Sequence, residues 1–544
     1  MPNKQRMRYA FPSQNLAGAG MQKIHGPFRA ALGAVSCALV LTLAAGMARA
    51  QGVSDVSTAT VEPLGMVDVR SIPEPEARET IRIIRRPLSK LSGQKRPAPL
   101  ATADVPFASQ GEAADPISEA AANLLFNFEG IEASNLEPPD PHVAVGPSEV
   151  LLATNAGLRV YNKSGSPITG LLSPSSFFGV PSQFEIQSDP KVLYDAASGR
   201  FFAVWIAFDQ QANLGAWFVA VSTSSSASGT FFRYQINETG NLPDYPGLGI
   251  CSDKLVITAN DFRPAGFGGF SFTGAVAVAL NKSQLTSGSS VSLNRFGNIQ
   301  LSGGAGQAFT IQPAQSLTST SSCNMVSLRG TNGIQLYKIN GLPPSATLST
   351  STTVPSLTTA VTTPVDATQP GTTRRVDTGD TRLLDATYRG VNGGSIWTSS
   401  NTGCRFSGSS TTFTCINVVE LSNVDGGSPS RRQQIVFGAS GLYYYFPALR
   451  TDSANNMTVV FSRSGSSEFP GVRYTSHLNA AALNTLESSV SLIGGSAAYT
   501  GTRWGDYFGA ALDPTDNRSI WIYGEYKRTG SSLWHTRVGQ TQVP

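Results

Sequence analysis

The chain has 544 residues, 40% of them hydrophobic and only 14% charged, with a formal net charge of +4; the charged share is well below the roughly 25% usual in soluble proteins. Residues 1–50 carry six basic and no acidic side chains, and 51–120 carry eight basic against ten acidic, which leaves 26 of each sign in 121–544. A neutral body without a basic stripe offers no counterion release, so nucleic acid is excluded as a partner.

Ala30 to Ala48 is an uncharged Ala/Leu/Val-rich run that follows Lys23, His25 and Arg29 and precedes Ala48-Arg49-Ala50, a small-x-small cleavage pattern. Residues 1–50 therefore read as a signal peptide. Its removal leaves no membrane span and places the protein outside the cytoplasm, secreted or periplasmic. A retained anchor is the alternative reading, because the run is barely long enough to span a bilayer. Residues 51–120 lack apolar periodicity and carry a basic run from Ile81 to Pro97; they read as a disordered linker or propeptide.

Four cysteines remain once Cys37 leaves with the signal, an even number suited to pairing in an oxidising compartment. Cys404 and Cys415 lie on adjoining strand-like runs, and Cys251 with Cys323 would join neighbouring repeats. CxxC is absent, and only His142, His477 and His535 lie beyond the signal, a pattern that does not suggest zinc.

From 121 to 544 one phrase recurs: an apolar strand, a polar turn, a second apolar strand, then a third. The first two strands read PHVAVGPSEVLLATN (141–155), PKVLYDAASGRFFAVWI (190–206), PGLGICSDKLVITAN (246–260), PAQSLTSTSSCNMVSLR (313–329), DATYRGVNGGSIWTSS (385–400), PALRTDSANNMTVVFS (447–462) and FGAALDPTDNRSIWIYGEY (508–526). This period predicts an all-β fold, a single seven-bladed β-propeller of four-stranded antiparallel blades. FFRYQI (231–236) and RQQIVF (432–437) are the clearest outer strands. The last repeat ends about four residues after its third strand, so LLFNFEGI (124–131) is the expected donor of its fourth, closing the ring and removing an exposed edge.

Aligning the repeats brings Asp140, Asp189, Asp244, Gln312, Asp385 and Asp506 to the entrances of the first strands, which line the channel of a propeller. The same loops add His142, Lys191, Tyr245, Gln315, Arg382, Tyr388, Arg503, Trp504 and Tyr507. Carboxylates gathered at a channel mouth suit Ca²⁺ or sugar hydroxyls, Arg grips a carboxylate, and Tyr or Trp stacks on a sugar face. The other reading is structural: each Asp caps its own loop by accepting backbone N–H bonds.

These phrases resemble a family of secreted bacterial propellers grouped with the sialidase-like propellers. The likeness rests on FNFEGI and PPDPHVAVGP (126–147), DPKVLYDAASGRFF (189–202), DYPGLG (244–249) and RWGDYFGAALDP, IWIYGEY and WHTRVG (503–539). It implies the architecture and no single activity. The turn STSSSASGTFF (222–232) echoes the Asp-box of such propellers with Ser in place of Asp and Phe in place of Trp. The sialidase set of three arginines, Tyr nucleophile with Glu, and Asp acid finds no placement here, and GxSxG, HExxH and Walker motifs are absent.

The resulting expectation is an exported propeller that binds a glycan or other polymeric or cell-surface ligand at the channel mouth. The rival is a glycoside hydrolase or polysaccharide lyase using Asp, Tyr and Arg at the same mouth, with a scaffold lacking any ligand site as the third reading.

Overall fold

Alternation along the strands divides between two packed faces, and this builds the fold. In Arg200–Asp209 every side chain from Phe201 to Phe208 is buried. Phe202, Val204, Ile206 and Phe208 join one apolar cluster, and Phe201, Ala203, Trp205 and Ala207 join another. A sheet with both faces covered must lie between two others, and each fully buried side chain of this kind contributes about 1.5–3 kcal/mol. The computed structural model describes residues 53–73, 105–111, 122–133, 136–209, 214–265 and 269–544. These form an all-β arrangement of propeller type with short helices such as Pro174–Phe178 and Lys282–Ser287. The expected signal peptide lies outside the described residues. Among the described residues no helix is long and apolar enough to cross a membrane.

Most repeats are antiparallel meanders, for example Ile186–Asp195, Arg200–Asp209, Leu214–Ser222 and Thr230–Thr239. The last of these contains FFRYQI as the fourth strand of its meander, as Ser430–Gly438 contains RQQIVF. The expectation of seven separate four-stranded blades is corrected. Among the described residues five sheets hold four or more strands and a sixth, His142–Val145 with Glu149–Thr154 and Gly157–Asn162, holds three.

Two local causes account for the difference. Gln315–Ser316 pairs in parallel with Ile250 on one side and with Thr387 and Tyr388 on the other, fusing two meanders into one eleven-stranded sheet. That repeat's own first strand is short, with Gln312–Pro313 paired with Cys323–Arg329 and the Ala314 N–H donating to the Asn324 carbonyl (2.9 Å). In the three-stranded sheet the outer position is taken by single bridges at Pro167 and Leu172 instead of a strand.

The ends of the chain meet as expected. Asn123–Glu129 pairs antiparallel with His535–Gln542, Phe126 opposite Gln540, and Ala133 bridges Trp534. Phe128 packs on Tyr161 and Trp521. The reading of 51–120 as a structureless linker is corrected where the segment is described: Val53–Val61 pairs with Val291–Ile299, Pro63–Asp68 with Thr230–Thr239, and Gln110–Gly111 with Ser430–Gly438. The Asp-box echo has a different chemistry from an Asp-box. Glu149, from another sheet, accepts the N–H groups of Ala227 (2.5 Å) and Ser228 (3.1 Å) and the Ser228 hydroxyl (2.6 Å).

Both expected disulfides form, with Cα separations of 5.3 Å for Cys251–Cys323 and 5.9 Å for Cys404–Cys415. The chain closed by each is 72 and 11 residues, and the longer loop loses more unfolded-state entropy when bridged. Replacing the first pair by Ser is expected to cost about 4 kcal/mol and the second about 3 kcal/mol. Urea midpoints of the two double variants check the order; a reversed order contradicts it.

Candidate functional site

The entrances of the first strands are built from strained backbone. Asp140, Asp189, Tyr245, Thr310 and Phe446 all have left-handed φ, between 47° and 58°, and the pairing shifts at Ser188/Lys191, Asp244/Gly247, Leu383/Asp385 and Tyr445/Ala448. Such a conformation costs about 1–3 kcal/mol per residue and persists only where surroundings enforce it. Three buried asparagines do so. Asn155, Asn260 and Asn401 accept the N–H of Asp189, Thr310 and Phe446, each at 2.8 Å. Sequence reasoning missed this clamp, although its signal is present in one register, LLATN, VITAN and WTSSN.

Against this frame the predicted carboxylates come together, Asp140, Asp189 and Asp244 buried and Asp385 and Asp506 partly buried. Asp140 accepts from Asn155 Nδ2 (2.9 Å) and from the Asp506 N–H (2.8 Å). Asp189 accepts from the Tyr245 N–H (3.1 Å) and from the Ser188 hydroxyl. Asp385 accepts from the N–H groups of Ala386 (2.8 Å) and Leu449 (3.0 Å) and lies 3.4 Å from Arg450. Asp506 is paired with Arg503. Own-loop capping is present only at Asp385, through Ala386; Asp140 and Asp189 instead accept N–H groups of other repeats, which corrects that reading there. Asp244 differs: it is 6% exposed, and among the described residues its carboxyl meets no hydrogen-bond donor and forms no ion pair. Burial, then the charge of Asp189, push it up to about 8, against the pull of Arg382. Burial likewise raises Asp140 well above, and Asp189 above, the usual range.

Cations and rings fill the space between. The Lys191 ammonium sits 3.0 Å from the centre of the Tyr507 ring, and burial lowers it to about 7 although Asp385, Asp140, Asp189 and Asp506 favour its charge. Arg382 is bound to Asp380 (2.7 Å) and lies 4.2 Å over the Tyr245 ring. Tyr507 donates to the Pro190 carbonyl (2.8 Å) and Tyr245 to that of Asp506 (3.1 Å). His142 has its Nδ1 2.9 Å from the Val192 carbonyl oxygen, and burial followed by the charges of Lys191 and Arg450 holds it well below its ordinary value, hence neutral. Gln312 donates to the Leu383 carbonyl (3.0 Å).

Three predicted residues lie elsewhere. Gln315 reaches the Tyr194 carbonyl (3.3 Å) at the far end of a first strand, Tyr388 donates to Asp425 (2.8 Å), and Trp504 is a fully buried core ring bonded to the Ser462 hydroxyl (2.8 Å). For Gln315 and Tyr388 distance along the strand decides this, since a strand carries its start and its end to opposite mouths. Glu525 was not anticipated: it is buried, accepts from the Gly505 N–H (2.7 Å), and burial raises it well above the carboxylate range.

The donor set does not fit Ca²⁺. That ion takes six to eight converging oxygens, whereas Asp140, Asp189 and Asp385 already accept N–H groups and Lys191, Arg382 and Arg503 stand among them. Among the described residues the one tight grouping of potential ligands is Cys251, Asp253 and Cys323, whose two sulfurs are bonded to each other.

No family model and no curated protein matches the chain. Several solved structures align with it. They include a Dyadobacter fermentans protein of unknown function (10% identity, 78% of this chain and 99% of that one, TM-score 0.39). An α-L-arabinofuranosidase from Fusarium graminearum in complex with an iminosugar inhibitor aligns at 10% identity over 76% and 97% of the two chains, TM-score 0.36. A Hadza microbial sialidase aligns at 9% over 72% and 73%, TM-score 0.33. Similarity at this level carries no inference about activity. What the entrance can do follows from its own groups: a neutral Asp244 donates or accepts a hydrogen bond, and the Arg382 cation lies over Tyr245 nearby.

Proposed function

We propose that this is an exported β-propeller protein that binds a glycan or other polymeric or cell-surface ligand at the channel entrance. The two disulfides and the lack of a membrane-crossing helix among the described residues are consistent with export. One observation carries the reading: Asp244 alone of the five aligned aspartates keeps an unpartnered carboxyl. Its neutral form suits a sugar hydroxyl, with Tyr245 and Arg382 beside it. Binding is favoured over hydrolysis, because glycosidic cleavage by the common routes requires two available carboxyl groups, and the other four aspartates are engaged by backbone N–H groups or by Arg503. The catalytic reading rests on one fact of its own: Asp244 near 8 and Lys191 near 7 both exchange protons around neutrality.

The test is a panel of insoluble neutral and acidic polysaccharides presented to the full chain, reading retention and released reducing ends. Retention without release is expected on at least one polymer, weakened about tenfold by Asp244→Ala, the worth of one good hydrogen bond. Release of product identifies an enzyme, and retention by neither form leaves the scaffold reading.

A further inference from the structure

The opposite end of the same strands holds a cavity of its own. In Ile186–Asp195 the entrance residue Asp189 and the terminal Asp195 are six residues apart, about 20 Å along a strand. At that far end a cavity of about 230 Å³ lies among the turns that follow the first strands. Its wall contains Asp195, Lys282, Ser252, Ser316 and Ser319, with Leu512 supplying apolar surface.

The polar groups there are held in place yet not exhausted. Lys282 Nζ donates to Asp195 (2.9 Å) and to the Cys251 carbonyl (2.9 Å), using two of its three N–H bonds. Asp195 is itself fixed by the Ser198 N–H (3.1 Å) and hydroxyl (2.5 Å). The Ser252 and Ser319 hydroxyls face each other at 2.9 Å, and the disulfide at Cys251 ties that wall to the next repeat. The Ser316 hydroxyl is buried and meets no partner. That oxygen lies behind the wall, so the hydrogen-bonding surface offered to a ligand is the Ser252 and Ser319 hydroxyls and the third Lys282 N–H bond.

We propose that this exit cavity is a second binding site, distinct from the entrance, that takes one neutral sugar ring. Charge sets the class: Lys282 is matched by Asp195 within the wall, and a charged ligand would lose its hydration with no counter-ion to meet it. Size sets the number of rings, because the cavity is smaller than the roughly 300–1,000 Å³ of pockets for drug-sized ligands. Mixed donors and acceptors on one side and Leu512 on the other match the hydroxyl edge and the C–H face of a pyranose.

Saturation-transfer NMR of the full chain with D-glucose, D-galactose and D-mannose tests it. Transfer to at least one sugar is expected, with affinity about tenfold weaker in Ser316→Leu, whose larger side chain narrows the cavity. Should Ser316→Leu fail to melt cooperatively, the Ser252→Ala/Ser319→Ala double variant carries the same expectation. No transfer from any of the three sugars overturns the site, as does transfer unchanged in the folded variants.

Discussion

Asp244→Asn is expected to stabilise the protein, and only at neutral and alkaline pH. The folded state holds this carboxyl near 8, whereas the unfolded chain releases its proton near 4. Between those values the folded state binds more protons than the unfolded state, so stability falls as pH rises through the window. Below it both forms are protonated and the side chain costs nothing. Asparagine has the same shape and cannot ionise, so the gain should be near zero around pH 4 and on the order of 3–5 kcal/mol at and above pH 8. Asp140 and Asp189 are raised by the same burial and titrate in both proteins; the difference between variant and wild type reads Asp244 together with its coupling to Asp189. Urea unfolding across the window checks this. A gain independent of pH, or a loss at pH 8, contradicts it. A residue whose removal stabilises the fold while weakening ligand retention is one kept for function at the expense of stability.

The second large effect concerns the meeting of the chain ends. Phe128→Ala should cost about 3–5 kcal/mol, since this ring, 8% exposed, packs between Tyr161 and Trp521. Removing 122–133 altogether uncovers the edge of His535–Gln542, and an unpaired edge recruits other chains. The truncated protein should self-associate in a concentration-dependent way, and a synthetic peptide of residues 122–133 should reduce that association. A truncated chain that melts and sediments like the parent would show that the closing strand is dispensable.

What the sequence revealed and what it hid divide along physical lines. The closing strand was legible because the final repeat runs out of residues after its third strand, and a missing strand in a closed sheet demands a donor. The gathering of Asp140, Asp189, Asp244 and Asp506 was legible because period-2 strands in one register carry equivalent positions to one place. The fused sheet was not legible, because it turns on which neighbours Gln315–Ser316 chooses beyond the short strand Gln312–Pro313. Val53–Val61 escaped notice for a different reason: it is held by backbone pairing to an edge, with Val56 53% exposed, and burial leaves no apolar period to read. The Asn155, Asn260 and Asn401 clamps escaped because an asparagine after a strand reads as a turn former, whereas here it holds a left-handed residue in the next repeat. Tyr388 and Gln315 were assigned to the wrong mouth because each lies three residues beyond the entrance position of its repeat, Asp385 and Gln312, toward the far end of the first strand.

Carboxyl-carbon NMR of the protein labelled at its aspartates, with the Asp244 resonance assigned by its loss in Asp244→Asn, reads directly whether the entrance keeps one neutral, unpartnered acid. A midpoint near 8, displaced when a retained polysaccharide is added, is the expected result. A midpoint near 4, in the range of an ordinary solvated aspartate, would contradict it.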